Sequence, residues 1–117
     1  MMKIKVFAFA LLIGSAGFAS AQSPAPVGDA SNGQKLYMAD GCYQCHGTVG
    51  QGARATGPKL APNPMPYEIF TNQVRKPVAV MPPYTALVLS DAQLADVYAY
   101  LSSLPGPPKP ESVTILH

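Results

Sequence analysis

The stretch from Cys42 to Met65 limits what this chain can build. It is broken every few residues by Gly47, Gly50, Gly52, Gly57, Pro58, Pro62 and Pro64. Glycine favours turn conformations and proline removes a backbone donor, so no run here is long enough for a helix or a strand, and the whole stretch reads as loop. A second loop, Pro77 to Leu89, carries Met81-Pro82-Pro83-Tyr84. Loops beyond about 12–15 residues are uncommon in compact domains unless they carry function. The elements must therefore be short and held together by something other than strand pairing.

Three helices fit between the loops. Asp29 is a plausible N-cap for the first, Leu36 and Tyr37 give it a short apolar face, and Gly41 stops it just before Cys42. A middle helix is expected from Pro66, at its first position, to about Arg75, with Ile69, Phe70 and Val74 on one face and Pro77 beyond its end. The last helix has the clearest start. Ser90 and Gln93 make a capping box, Leu89 can staple to Leu94, and Leu94, Val97, Tyr98, Leu101 and Leu104 recur at helical spacing until Pro105-Gly106. The tail from Pro105 to His117 has four prolines and is expected to lie extended on a surface. No repeat and no paired strand is visible, so the fold class expected is all-α.

The N-terminus reads as a leader. Met1 to Lys5 is a short basic start, Val6 to Phe18 is apolar, and Ala19-Ser20-Ala21 is a small-x-small cleavage site, so residues 1–21 are expected to be a signal peptide removed on export. A spanning helix needs about 20 apolar residues, which argues against a lasting membrane anchor. Residues 22–28 form a flexible entry, 29–104 the domain, and 105–117 a proline-rich tail. Lys3 and Lys5 account for the formal charge of +2; after them, Lys35, Arg54, Lys59, Arg75, Lys76 and Lys109 balance Asp29, Asp40, Glu68, Asp91, Asp96 and Glu111. A neutral domain without a basic stripe is not a nucleic-acid binder.

Three short helices and long loops bury too little apolar surface to be comfortable, because small domains usually need a staple. Cys42-Tyr43-Gln44-Cys45-His46 supplies one. Cys-x-x-Cys-His is a c-type haem attachment motif: two thiols add across the two vinyl groups of one porphyrin, and the adjoining His46 places an imidazole under the iron. A redox dithiol would call for alternating strands and helices, and a zinc site for a second Cys or His pair; the only other histidine is His117. A simple disulfide is the remaining reading in an exported chain.

The second axial ligand is expected to be a thioether on a loop carried to the other face of the ring. After the leader the chain offers Met38, Met65 and Met81. Met38 lies in the first helix, too close to Cys42 to reach around a haem, and Met65 precedes the middle helix. Met81 sits between the last two helices with two prolines behind it to stiffen the backbone. It is the expected ligand, with Met65, an open position or His117 as alternatives.

With these residues in place, the span from Asp29 to Leu104 resembles the class I cytochrome c family, in particular its small bacterial periplasmic monohaem members. Gly33 and Tyr37 match that family's N-terminal helix, and Val97-Tyr98-Ala99-Tyr100-Leu101 matches its C-terminal one. The resemblance implies that these helices pack closely at Gly33, in a cytochrome c fold of three main helices wrapped around one covalent haem c. Gly57-Pro58-Lys59-Leu60 is similar to the family's Gly-Pro-x-Leu. There the Pro58 carbonyl would accept a hydrogen bond from the second nitrogen of His46, with Leu60 and Tyr84 lining the haem. The strongly basic surface of mitochondrial relatives is missing, so their partners are not implied.

The function expected is electron transfer in the periplasm. His46 and Met81 would leave no open iron position, and the protein would perform no substrate chemistry of its own. Partners would be redox proteins such as a dehydrogenase, an oxidase or another cytochrome, meeting the chain briefly. Two alternatives stand beside a free carrier: a cytochrome subunit of a periplasmic dehydrogenase or oxidase complex, and a gas sensor or peroxidase-like enzyme, which requires a displaceable Met81.

Overall fold

A computed structural model describes residues 23–112 and Thr114. The expected leader and His117 lie outside the described residues. Among the described residues four helices follow in order, α1 (Ala30–Ala39), α2 (Cys42–His46), α3 (Tyr67–Arg75) and α4 (Asp91–Ser103), with a 3-10 turn at Pro110–Ser112. Among the described residues there is no strand, only an isolated antiparallel bridge between Ala53 and Gly57. No described helix is long and apolar enough to cross a membrane. The expected all-α class is the observed one.

The first helix starts as its sequence dictates: the Asp29 carboxylate accepts from the backbone N–H groups of Ser31 and Asn32 at 2.8 and 3.1 Å. Gly41, at φ 77°, sits in the left-handed conformation beyond its end and turns the chain directly into α2. Here the structure corrects the expectation that everything after Cys42 is loop. The first five residues of that stretch form one helical turn, and the glycines act only after it, Gly47 at φ 78° closing the turn. The run is short, but it is bounded on both sides by glycines at positive φ and contains no glycine or proline itself.

α3 begins one residue later than expected, with Pro66 as its N-cap rather than its first residue. Phe70 and Val74 are buried, four residues apart on one face, whereas Ile69 is 53% exposed. Tyr67, three residues before Phe70, takes the place given to Ile69: it and Phe70 both set their rings edge-on to Tyr98, at 5.1 and 5.2 Å between centroids. α4 carries the expected capping box, with Gln93 N–H donating to Ser90 Oγ at 3.2 Å and Ser90 N–H to Gln93 Oε1 at 2.9 Å. Leu94, Val97 and Leu101 are buried as its spacing predicts; Ala95 and Tyr100 join them, and Tyr98 and Leu104 pack at the margin.

The core is the crossing of α1 and α4. A Cβ on Gly33 would run into the backbone carbonyl of Asp96, so only glycine allows the helices this approach. One turn on, Tyr37 is fully buried and tilts against Tyr100 at 5.5 Å. Asp96 ties the same crossing at its polar edge, accepting from Asp29 N–H at 2.7 Å and Asn32 Nδ2 at 2.8 Å. The tail is not extended throughout: Lys109 O accepts from both the N–H and the Oγ of Ser112, which folds Pro110–Ser112 into an exposed turn.

Candidate functional site

The helical turn α2 puts Cys42, Cys45 and His46 on one face, because residues three and four apart on a helix are neighbours. Cys42 is half-buried, Cys45 is exposed, and the two are not bonded to each other. Burial, with the Asp40 carboxylate adding to it, pushes the Cys42 thiol up to about 11. A redox dithiol works through a thiolate stabilised near neutrality, and this environment does the reverse. Nor do three His, Cys, Asp or Glu side chains gather around any point among the described residues, as a bare metal ion would need.

His46 is 8% exposed, the one buried polar or charged residue among the described residues. Its Nδ1 lies 2.8 Å from the carbonyl oxygen of Pro58. A carbonyl can only accept, so Nδ1 carries the proton and donates, which leaves the lone pair on Nε2. A metal-binding histidine is arranged in this way, one nitrogen held by the protein and the other directed at the metal.

The glycines and prolines of the following segment fold it back over His46. Gly52 N–H donates to the His46 carbonyl at 2.7 Å, and Gly50 O accepts from both Leu60 and Ala61 N–H at 2.8 and 3.0 Å. Ala53 and Gly57 exchange backbone bonds across a tight turn, and Thr56 Oγ1 donates to Cys45 O at 3.0 Å. A Cβ on Gly57 would stand 2.7 Å from that same carbonyl and 3.0 Å from His46 Nδ1. Tyr37 and Tyr100, from below, donate to the carbonyls of Gly47 and Thr48 at 2.7 and 3.0 Å. The imidazole is thus fixed by a loop that is itself pinned to the α1–α4 core.

Of the other residues singled out in the sequence, Leu60, Met81 and Tyr84 are partly buried and pack against the core. Pro58 is exposed as a side chain and acts through its carbonyl. Tyr84 reaches from the loop after α3 to α1, its hydroxyl donating to Asp40 O at 2.8 Å. Met38 and Met65 are 39% and 38% exposed. Sequence reasoning missed Thr56, which donates to a backbone carbonyl, and Arg75, which donates to two carbonyls and the Asp91 carboxylate. Nothing in local spacing announces such contacts.

A helical domain organised around one Cys-x-x-Cys-His turn, with its histidine's second nitrogen engaged and its cysteines free, has the cytochrome c fold and the attachment chemistry of a c-type cytochrome. The family described as "Cytochrome C oxidase, cbb3-type, subunit III" matches residues 28–101, and the chain belongs to it. Comparison with curated proteins and with solved structures gives no significant match. A domain of this family binds one covalent haem c with its iron, which makes haem-based electron transfer the chemistry of the chain. The residues fit that group, with paired thiols on one face of a turn and an adjacent imidazole of the required tautomer.

Proposed function

We propose that the chain is an exported one-electron carrier in which Cys42 and Cys45 hold haem c through two thioethers and His46 Nε2 and Met81 Sδ are the axial ligands. The Nδ1–H bond from His46 to Pro58 carries this reading, since it orients a buried imidazole and strengthens its free nitrogen as a donor. When bound, the haem supplies a reversible Fe(III)/Fe(II) couple. The protein's part is to exclude water and hold the ligands still. Leu60 and Tyr84 provide apolar wall, and the α1–α4 core beneath α2 resists movement between oxidation states.

Met81 is favoured over its rivals by packing. It is the methionine of the three that is partly buried against the core, where Met38 and Met65 are more exposed. The test is the absorption spectrum of the purified protein and of Met81→Ala. The parent should show the weak thioether-to-iron band at the red end and the variant should lose it; an unchanged spectrum overturns the assignment. Ready binding of carbon monoxide by the ferrous parent at neutral pH would instead support a sensor or peroxidase-like role.

The leader at residues 1–21 supports export and a periplasmic location, and mature protein beginning at Gln22 is the expected product. The partner would be a periplasmic dehydrogenase, an oxidase or another cytochrome. A second reading, a subunit of an oxidase complex, is favoured by the name of the matching family. Co-purification with a larger enzyme, lost when residues 106–117 are deleted, would distinguish the subunit from the free carrier.

A further inference from the structure

The residues around Met81 have little to hold them. From Pro77 to Pro83 the backbone closes a turn of its own at Ala79–Val80 but makes no main-chain hydrogen bond to a described residue outside the segment. The first anchored position after Met81 is Tyr84, and Pro82 and Pro83 lie between them. Each proline fixes its own φ and restricts the residue before it, so the pair is a stiff strut and the placement of Tyr84 is passed on to Met81.

The backbone of Tyr84 is anchored from α3. Its N–H donates to Val74 O at 3.0 Å, and its carbonyl accepts from Arg75 Nη1 at 2.8 Å. The same Nη1 donates to Leu89 O at 2.7 Å, and Nη2 to the Asp91 carboxylate at 2.6 Å. One guanidinium therefore grips the loop just behind the strut, the loop's last residue and the first residue of α4. The Arg75 side chain is only 17% exposed while Asp91 is 82% exposed, so the two carbonyl contacts are the sheltered part of the grip and the ion pair the solvated part. A planar fork with several fixed donors suits this task; a lysine ammonium, a single point on a flexible stem, does not reproduce it.

We propose that Arg75 is a positioning residue for Met81: by holding the carbonyls of Tyr84 and Leu89 it sets the diproline strut and resists the swing that would withdraw the sulfur from the iron. This rests on the Met81 reading. Arg75 touches neither the sulfur nor the imidazole and acts only through the loop. Weakening its grip raises the population of loops with Met81 displaced, and any competing ligand then binds more tightly because less of its affinity is spent on expelling the sulfur.

The experiment titrates ferric holoprotein with imidazole and follows the thioether-to-iron band. Arg75→Gln should show the band without competitor yet lose it at an imidazole concentration about tenfold lower than the parent, as expected when a charged donor to two sheltered carbonyls is lost. Asp91→Asn keeps both carbonyl contacts and should shift the midpoint less than about threefold, since an exposed ion pair contributes little. In a Met81→Ala background, which has no such band and is followed by the shift of the main haem absorption, Arg75→Gln should leave imidazole affinity unchanged, because there is no sulfur left to hold. An Arg75→Gln midpoint within twofold of the parent overturns the proposal, even if thermal stability falls; so does an equal shift in the Met81→Ala background. If Arg75→Gln does not mature with haem, Arg75→Lys takes its place under the same criteria. A parent band that survives Met81→Ala refutes the ligand assignment itself, a result separate from any effect of Arg75.

Discussion

Gly57→Ala tests the hydrogen bond on which the site is built. The added Cβ would stand 2.7 Å from Cys45 O and 3.0 Å from His46 Nδ1, where ordinary contact begins at 3.4 Å, so the Gly57–Pro58 segment must retreat by several tenths of an ångström. The partner that would otherwise yield is backbone of the attachment turn, itself pinned by Tyr37 below and Thr56 beside it. A retreat of that size takes the His46–Pro58 bond from 2.8 Å to the edge of hydrogen-bonding distance. Accepting the Nδ1 proton makes the imidazole a stronger donor and favours Fe(III), so losing the bond should raise the reduction potential. A net hydrogen bond is worth about 1 kcal/mol, which for one electron is roughly 40 mV, an upper limit because only the difference between the two oxidation states counts. The measurement is an equilibrium redox titration of the holoprotein, with Thr56→Val as control: it loses the contact to Cys45 O but leaves Gly57 in place. A rise of about 20–40 mV in Gly57→Ala and little change in Thr56→Val is expected. A Gly57→Ala potential that is unchanged or lower, in a protein of normal spectrum, would refute the role given to Pro58.

Two further perturbations probe the frame around the site. Tyr37→Phe keeps the ring against Tyr100 but removes the shorter of the two bonds to the Gly47 carbonyl, leaving it the Gly50 N–H at 3.2 Å, and should cost about 1 kcal/mol in guanidinium unfolding of the holoprotein; no loss would show that water replaces the hydroxyl freely. The bond from Asn32, and after it the bond from Asp29 N–H, holds the Asp96 carboxyl below its ordinary value of 3.8. A carboxyl whose folded-state value is depressed contributes stability that is fully present above 3.8 and disappears as pH falls through the folded-state value. Asp96→Asn should therefore melt below the parent at neutral pH and converge with it in acid, and a gap that stays constant across that range would contradict the assignment.

Much of the domain could be read from short-range pattern. The capping box at Ser90 and Gln93, the Asp29 cap and the apolar stripe of α4 involve residues within one or two helical turns, and local backbone chemistry settles them. The same is true of Cys42-Tyr43-Gln44-Cys45-His46, where five consecutive residues carry the whole of the attachment motif. Resemblance to a known family, rather than spacing, directed attention to the Pro58 carbonyl. The tertiary structure decided what depends on distant partners. The Cys42–His46 turn is set off by glycines at positive φ on either side, Ile69 faces outward because Tyr67 and Phe70 meet Tyr98, and Tyr100 is buried because α1 passes over it. Arg75 read in sequence as the last residue of a helix, and only folding brings Tyr84, Leu89 and Asp91 to its guanidinium. A cap or a motif is satisfied by its neighbours in the chain, whereas a buried donor is satisfied by whichever carbonyl the fold delivers.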